Sequence, residues 1–167
     1  MPRVERLYVD TNVFIDLFER SDELSSLLAE LFLVDRAGKE PFLATSELTV
    51  AELLVDPYGR EDDHLIQMYD NWTITNNHLT VGSISRDVLR YAAVLRSRHK
   101  GVKLPDAIHL STAVVMRCSH MLTADTRLRD RYDLTHHGFG PIRSPARIDI
   151  LRPEIEVIKH LIEEATR

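Results

Sequence analysis

Four short apolar runs constrain this chain more than any other feature. Leu7-Tyr8-Val9, Phe42-Leu43-Ala44-Thr45, Leu79-Thr80-Val81 and Met121-Leu122-Thr123 are too brief for helices and apolar almost throughout. Between them lie longer stretches whose apolar residues recur at helical spacing, such as Val13, Phe14, Leu17 and Phe18. Strands buried on both faces and alternating with helices specify a parallel sheet covered on each side. The expected fold class is therefore α/β, a three-layer α/β/α sandwich with a mainly parallel central sheet.

Local signals place the helices. Ser21-Asp22-Glu23 opens one that carries Leu24, Leu27, Leu28, Leu31 and Phe32 and stops near Gly38. A short helix over Thr49 to Val55 should end before Asp56-Pro57, because a residue preceding proline disfavours helical geometry. Glu61 to Trp72 reads as helical. Ser85 is a good N-cap for Arg86 to about Lys100, and Pro105 suits the first turn of a helix running to about Arg117. Ile148 to Leu151 reads as a fifth strand and Glu154 to Ala165 as a terminal helix. No linker-like stretch divides residues 1–167, so a single domain is expected, with residues 129–167 adding a C-terminal strand and helix. One cysteine, Cys118, excludes an intramolecular disulfide and reads as a small buried apolar residue. No signal-peptide core follows the N-terminal charges and no apolar run is long enough to span a bilayer, so a cytoplasmic protein is expected.

Ligands of open α/β sheets bind beyond the carboxyl ends of the strands. Acidic residues stand at those positions here. Asp10 follows the first strand, Glu52 lies early after the second, Asp106 opens the helix after Pro105, and Asp125 follows the fourth strand. Four carboxylates brought to one edge repel one another unless a cation offsets them. Hard oxygen donors suit Mg²⁺ or Mn²⁺. Simpler roles exist for each: helix cap for Asp10, solvated helix residue for Glu52, dipole partner for Asp106, turn residue for Asp125. Asn12 either orients Asp10 or bonds to the local backbone, and Ser46 and Thr123 are weaker candidates for such support. His109, one turn after Asp106, lacks a second His or Cys at zinc-ligand spacing and reads as a helix-packing histidine. His136-His137 reads as a solvent-exposed loop.

The same segments resemble a known family. Tyr8-Val9-Asp10-Thr11-Asn12-Val13-Phe14-Ile15, Leu48-Thr49-Val50-Ala51-Glu52-Leu53-Leu54, Leu104-Pro105-Asp106-Ala107-Ile108-His109-Leu110-Ser111-Thr112-Ala113 and Leu122-Thr123-Ala124-Asp125-Thr126-Arg127-Leu128 resemble, in order and spacing, the four motifs of PIN-domain nucleases. The resemblance spans about residues 7–128 and is closest in style to the VapC-type toxins of type II toxin–antitoxin pairs. It implies a Mg²⁺- or Mn²⁺-dependent ribonuclease. Asp10, Glu52, Asp106 and Asp125 fall on the family's acidic, metal-binding positions, and Thr11, Asn12 and Thr123 on polar positions that support them. Ala124 stands where many relatives carry another polar or acidic residue, which leaves Asp125 as a direct or water-mediated ligand. Also implied are an RNA substrate, a small antitoxin whose arginine would enter the acidic cleft, and a homodimer. Gly138 to Ala146 matches no motif.

Two other functions fit parts of the pattern. One is a catalytically silent PIN-like RNA-binding or assembly module. The other is a phosphatase with an aspartyl nucleophile, but Asp10-Thr11-Asn12 lacks the second Asp such an enzyme needs two residues on. Charge bears on the choice. The net charge of −5 argues against a nucleic-acid partner when taken as a sum. Residues 1–85 carry 6 Lys/Arg against 16 Asp/Glu, whereas residues 86–147 carry 12 against 5. The basic stretch surrounds Asp106 and Asp125, where a phosphate would need cations.

Overall fold

The computed structural model describes residues 3–134 and 146–167. In chain order the elements are β1 (Leu7–Val9), α1 (Thr11–Glu19), α2 (Glu23–Phe32), β2 (Leu43–Ser46), α3 (Glu47–Leu53), α4 (Val55–Arg60) and α5 (Asp63–Trp72). There follow β3 (Leu79–Gly82), α6 (Arg86–Arg98), α7 (Leu104–Val115), β4 (His120–Leu122), β5 (Arg131–Leu134), β6 (Ala146–Leu151) and α8 (Ile155–Ala165). The six strands form one sheet in the order β3-β2-β1-β4-β6-β5. All neighbours run parallel except β5, which runs antiparallel to β6.

Strand periodicity assigns each residue to a face. Leu7 and Val9 of β1, Leu43 of β2 and Leu122 of β4 enter a core shared with α1, α2, α3, α5 and α8. The intervening Tyr8, Ala44 and Met121, with Ile148 and Ile150 of β6, enter a second core against α6 and α7. Two buried faces explain why the strands read as unbroken apolar runs. They also make the α/β/α sandwich a direct consequence of the sequence pattern.

Helix starts follow their capping residues. Asp10 caps α1, accepting from the Thr11 N–H. Asp22 and Ser25 form a reciprocal capping box at α2, and the Ser85 hydroxyl accepts from the Val88 N–H at α6. Lys103 occupies the N-cap of α7 without a side-chain cap bond, and Pro105 sits in the first turn.

The structure departs from expectation at four places. Asp56-Pro57 does not terminate a helix. It lies in the first turn of α4, where the missing proline N–H has no helical partner to lose. The second helix ends at Phe32, well short of Gly38, which instead takes φ +80° in a turn. The helix expected from Glu61 begins at Asp63 with Asp62 as its cap, because Glu61 adopts a left-handed backbone (φ 55°) as the C-cap of α4. Strand β5 was not expected. Its Tyr132 and Leu134 are buried while Arg131 and Asp133 are exposed, an edge pattern too short to stand out. Asp149 of β6 anchors it, accepting from Arg131 Nε at 2.7 Å and from Arg147 Nε at 3.0 and 3.1 Å. His136 and His137, and the motif-free stretch up to residue 145, lie outside the described residues.

Cys118 is buried, and burial pushes its thiol up to about 12. Among the described residues no helix is long and apolar enough to cross a membrane. Leu110 of α7 is fully buried. Leu110→Ala should lower the free energy of unfolding by about 2–5 kcal/mol in urea denaturation; an unchanged midpoint would contradict this placement of the core.

Candidate metal and catalytic site

The chain leaves β1 for β2 on one side, whereas after β4 it continues to β5 and then β6 on the other. The carboxyl ends of β1 and β4 therefore border a topological switch point, the crevice where open α/β sheets bind ligands. Asp10 is the first residue after β1, and Thr123 the first after β4. The Asp10 N–H donates to Leu122 O at 3.0 Å, which holds the two strand ends together.

Asp10 is 8% exposed, and both oxygens of its carboxylate accept hydrogen bonds. Its Oδ1 accepts from the Thr11 N–H at 2.8 Å, and its Oδ2 from Asn12 Nδ2 at 2.7 Å and Thr123 Oγ1 at 2.6 Å. Asn12 also donates to Thr123 Oγ1, and its Oδ1 accepts from the Ala124 N–H. Asn12 thus orients Asp10 and ties the β4 loop to the start of α1, beyond any purely local backbone role.

Glu52, on α3, reaches the same point from β2. It accepts from Thr11 Oγ1 at 2.5 Å and faces His109 Nε2 at 3.0 Å. Burial opposes its charge, but donation from His109 and Thr11 outweighs burial and holds the carboxyl below the usual range. His109 Nε2 also lies 3.6 Å from Asp10 Oδ1.

His109 is therefore more than a packing residue, which corrects the reading from sequence. It is 2% exposed and its ring nitrogens are both committed. Nδ1 lies 2.8 Å from the Tyr8 hydroxyl, which donates to Ser46 Oγ at 2.8 Å. Burial pushes the Tyr8 phenol far above its ordinary value, so the group stays neutral. The buried chain Ser46–Tyr8–His109 fixes the imidazole plane and aims Nε2 at Glu52. The available signal was the three-residue spacing from Asp106, which puts both side chains on neighbouring faces of α7.

Asp106 and Asp125 complete the acidic edge differently. Burial raises the Asp106 carboxyl, and the negative charges of Asp125 and Asp10 raise it further. Asp125 is held instead by a cation. Arg127 Nε donates to both its oxygens, at 2.8 and 3.1 Å, and Arg127 Nη2 to Oδ2. These bonds keep the Asp125 carboxyl below the usual range. Arg152, just past β6, pins the loop by donating to the carbonyls of Thr123, Asp125 and Leu128. Neither arginine was singled out from the sequence, because both contacts depend on a turn and a strand pairing that composition does not reveal.

Asp10, Glu52 and His109 offer ligand atoms that all lie within 4.8 Å of one another. Two hard carboxylate oxygens beside an imidazole fit a divalent cation such as Mg²⁺ or Mn²⁺. Tyr8→Phe leaves His109 Nδ1 and Ser46 Oγ without their shared buried partner. It should destabilise the protein by about 1–3 kcal/mol in chemical denaturation. No change would mean the buried chain does not hold His109.

Comparison with known proteins bears on the fold and the family. The sequence model of the PIN domain family matches residues 7–134. A chain from a toxin–antitoxin complex of Klebsiella pneumoniae is similar at 27% identity and TM-score 0.51, over 72% of this chain and 87% of that one. VapC20 of Mycobacterium tuberculosis, a sarcin-ricin loop cleaving toxin, shares the fold at 17% identity and TM-score 0.54, over 69% and 86%. VapBC2 of Rickettsia felis, solved with a promoter DNA fragment, shares it at 18% identity and TM-score 0.52, over 71% and 87%. No curated protein matches.

Proposed function

The chain belongs to the PIN-domain family, and from that premise we propose that it is a metal-dependent endoribonuclease, the toxin of a type II toxin–antitoxin pair. One observation carries the nuclease reading. Carboxylates from separate chain segments converge at the switch point, and among the described residues the His109 imidazole is the one nitrogen-bearing side chain within 4 Å of both Asp10 and Glu52 in an acid–base contact. Such a cluster is built to be completed by a cation from outside.

In this reading Asp10, Glu52 and Asp106 hold Mg²⁺ or Mn²⁺, and Asp125 contributes directly or through water once released by Arg127. A divalent ion held there would supply Lewis-acid chemistry, lowering the pKa of a water and offsetting phosphoryl charge. The protein's part is positional. Thr11, Asn12 and Thr123 hold Asp10 and Glu52 in place, and His109 orients Glu52. Arg152 keeps the Thr123–Leu128 loop against the strand ends. Supports of this kind commonly set ligand geometry and basicity.

The toxin assignment rests on the similarity to a chain of a toxin–antitoxin complex. It brings as proposals a small antitoxin partner, an RNA substrate, a homodimer, a cytoplasmic location and a single domain over residues 1–167. A silent RNA-binding module is the second reading, favoured by the Arg127 clamp that already neutralises Asp125.

One assay separates the two. Wild-type protein with Mg²⁺ or Mn²⁺ should cleave single-stranded or structured RNA, and EDTA should abolish cleavage. Asp10→Asn and Asp106→Asn should each lower the rate by about 100-fold or more. Equal rates in all three proteins would overturn the mechanism, and no cleavage by folded wild type would leave the silent module.

A further inference from the structure

Beside Asp106 a cleft of about 270 Å³ opens between the C-terminal end of α6, the N-terminus of α7 and the loop after β4. Its rim carries Lys103, Arg127 and Arg129 against the single carboxylate of Asp106, with His99 and Tyr132 forming part of the wall. The charge contrast with the other hollows is sharp. A larger one beside α2 and α8 has Arg20 against Asp22, Glu23, Glu154 and Glu156, and the one beside Trp72 has no Asp, Glu, Lys or Arg lining.

The geometry points to this cleft as the seat of a phosphodiester of a single-stranded RNA, one that flanks the phosphate at the metal site. The inference rests on the nuclease reading above and extends it to the path of the substrate.

Three independent features converge. The first is continuity: Asp106, which the nuclease reading assigns to the metal, also lines the cleft, as does Arg127, the partner of Asp125. The second is available donors. Lys103 and Arg129 are exposed and, among the described residues, their side chains form no ion pair. Arg127 spends Nε and Nη2 on Asp125, and its Nη1 makes no bond among the described residues. The third is the backbone. The N-terminus of α7, a helix of 12 residues, has no side-chain cap; Pro105 offers no N–H and Asp106 is an acid in the same turn, so the Leu104 N–H, which makes no hydrogen bond among the described residues, is the amide it adds beside Lys103.

The cleft also answers an electrostatic difficulty. A polyanion must approach an edge lined by Asp10, Glu52, Asp106 and Asp125. Fixed cations a short way along the strand offset that repulsion without neutralising the ligands themselves. Lys103, Arg127 and Arg129 all belong to the basic stretch of residues 86–147.

The test is binding of a fluorescein-labelled, mixed-sequence single-stranded RNA by anisotropy, in EDTA so that no cleavage occurs, across a series of salt concentrations. For single strands each phosphate contact contributes about 0.7 to the slope of log K against log salt. Lys103→Ala and Arg129→Ala should each weaken binding and flatten the slope by about 0.7, and the double variant by about 1.4. Lys159→Ala, on α8 across the sheet, should leave the slope unchanged. All variants should unfold at the wild-type temperature, since both side chains are exposed. A wild-type slope in Lys103→Ala and Arg129→Ala, or no RNA binding by wild type, would overturn the assignment. Retained RNA cleavage alongside unchanged slopes would reject the cleft and keep the nuclease. Shifted slopes in a protein that never cleaves would keep the cleft and reject the nuclease.

Discussion

The Asp10 carboxylate, pinned between the ends of β1 and β4, is the constraint around which the rest is arranged. Its donors come from its own turn (the Thr11 N–H and Asn12) and from the next strand across the sheet (Thr123). A buried carboxylate keeps its charge only if its lone pairs are satisfied. The parallel pairing of β1 with β4 brings Thr123 into reach. The same pairing creates the switch point, so fold and site are two results of one strand order. Glu52 and His109 are then fastened to this centre from β2–α3 and from α7, through Thr11 and the Tyr8 hydroxyl.

The electrostatics divide the acidic edge in two. Asp10 and Glu52 are balanced by hydrogen bonds and by His109, and Asp125 by Arg127. Asp106 makes no side-chain hydrogen bond or ion pair among the described residues, and burial, with the charges of Asp125 and Asp10, raises its carboxyl against the opposing influence of Arg127 and His109. Asp106 is also where the acidic edge meets the basic cleft. An overall charge of −5 therefore conceals a local gradient, from an acidic centre to a flank lined by Lys103, Arg127 and Arg129, over the span of one helix N-terminus.

Much of this was legible in the sequence, for physical reasons. Strands buried on both faces leave unbroken apolar runs, and a parallel sheet puts chemistry at their carboxyl ends. Hence the layer order and the position of Asp10 at the end of β1 could be read before the structure, whereas the close cluster proved to be Asp10, Glu52 and His109. Other features depend on tertiary pairing. Strand β5 is held by Arg131 and Asp149, which are far apart in sequence. Pro57 starts a helix rather than ending one, because α3 turns into α4 at Leu54. His109 looked inert because its partners, Tyr8 and Glu52, lie on other elements. Arg127 and Arg152 were overlooked for the same reason: a turn and a strand end carry them to Asp125 and its loop.

The central proposal is that the carboxylates at the switch point bind a divalent cation. Calorimetric titration of the metal-free protein with Mn²⁺, paired with thermal unfolding, tests it without relying on any substrate. The account predicts saturable binding and, at 100 times the dissociation constant, stabilisation of about 2.7 kcal/mol that Asp10→Asn loses. Absence of both heat and stabilisation in folded wild-type protein would contradict it.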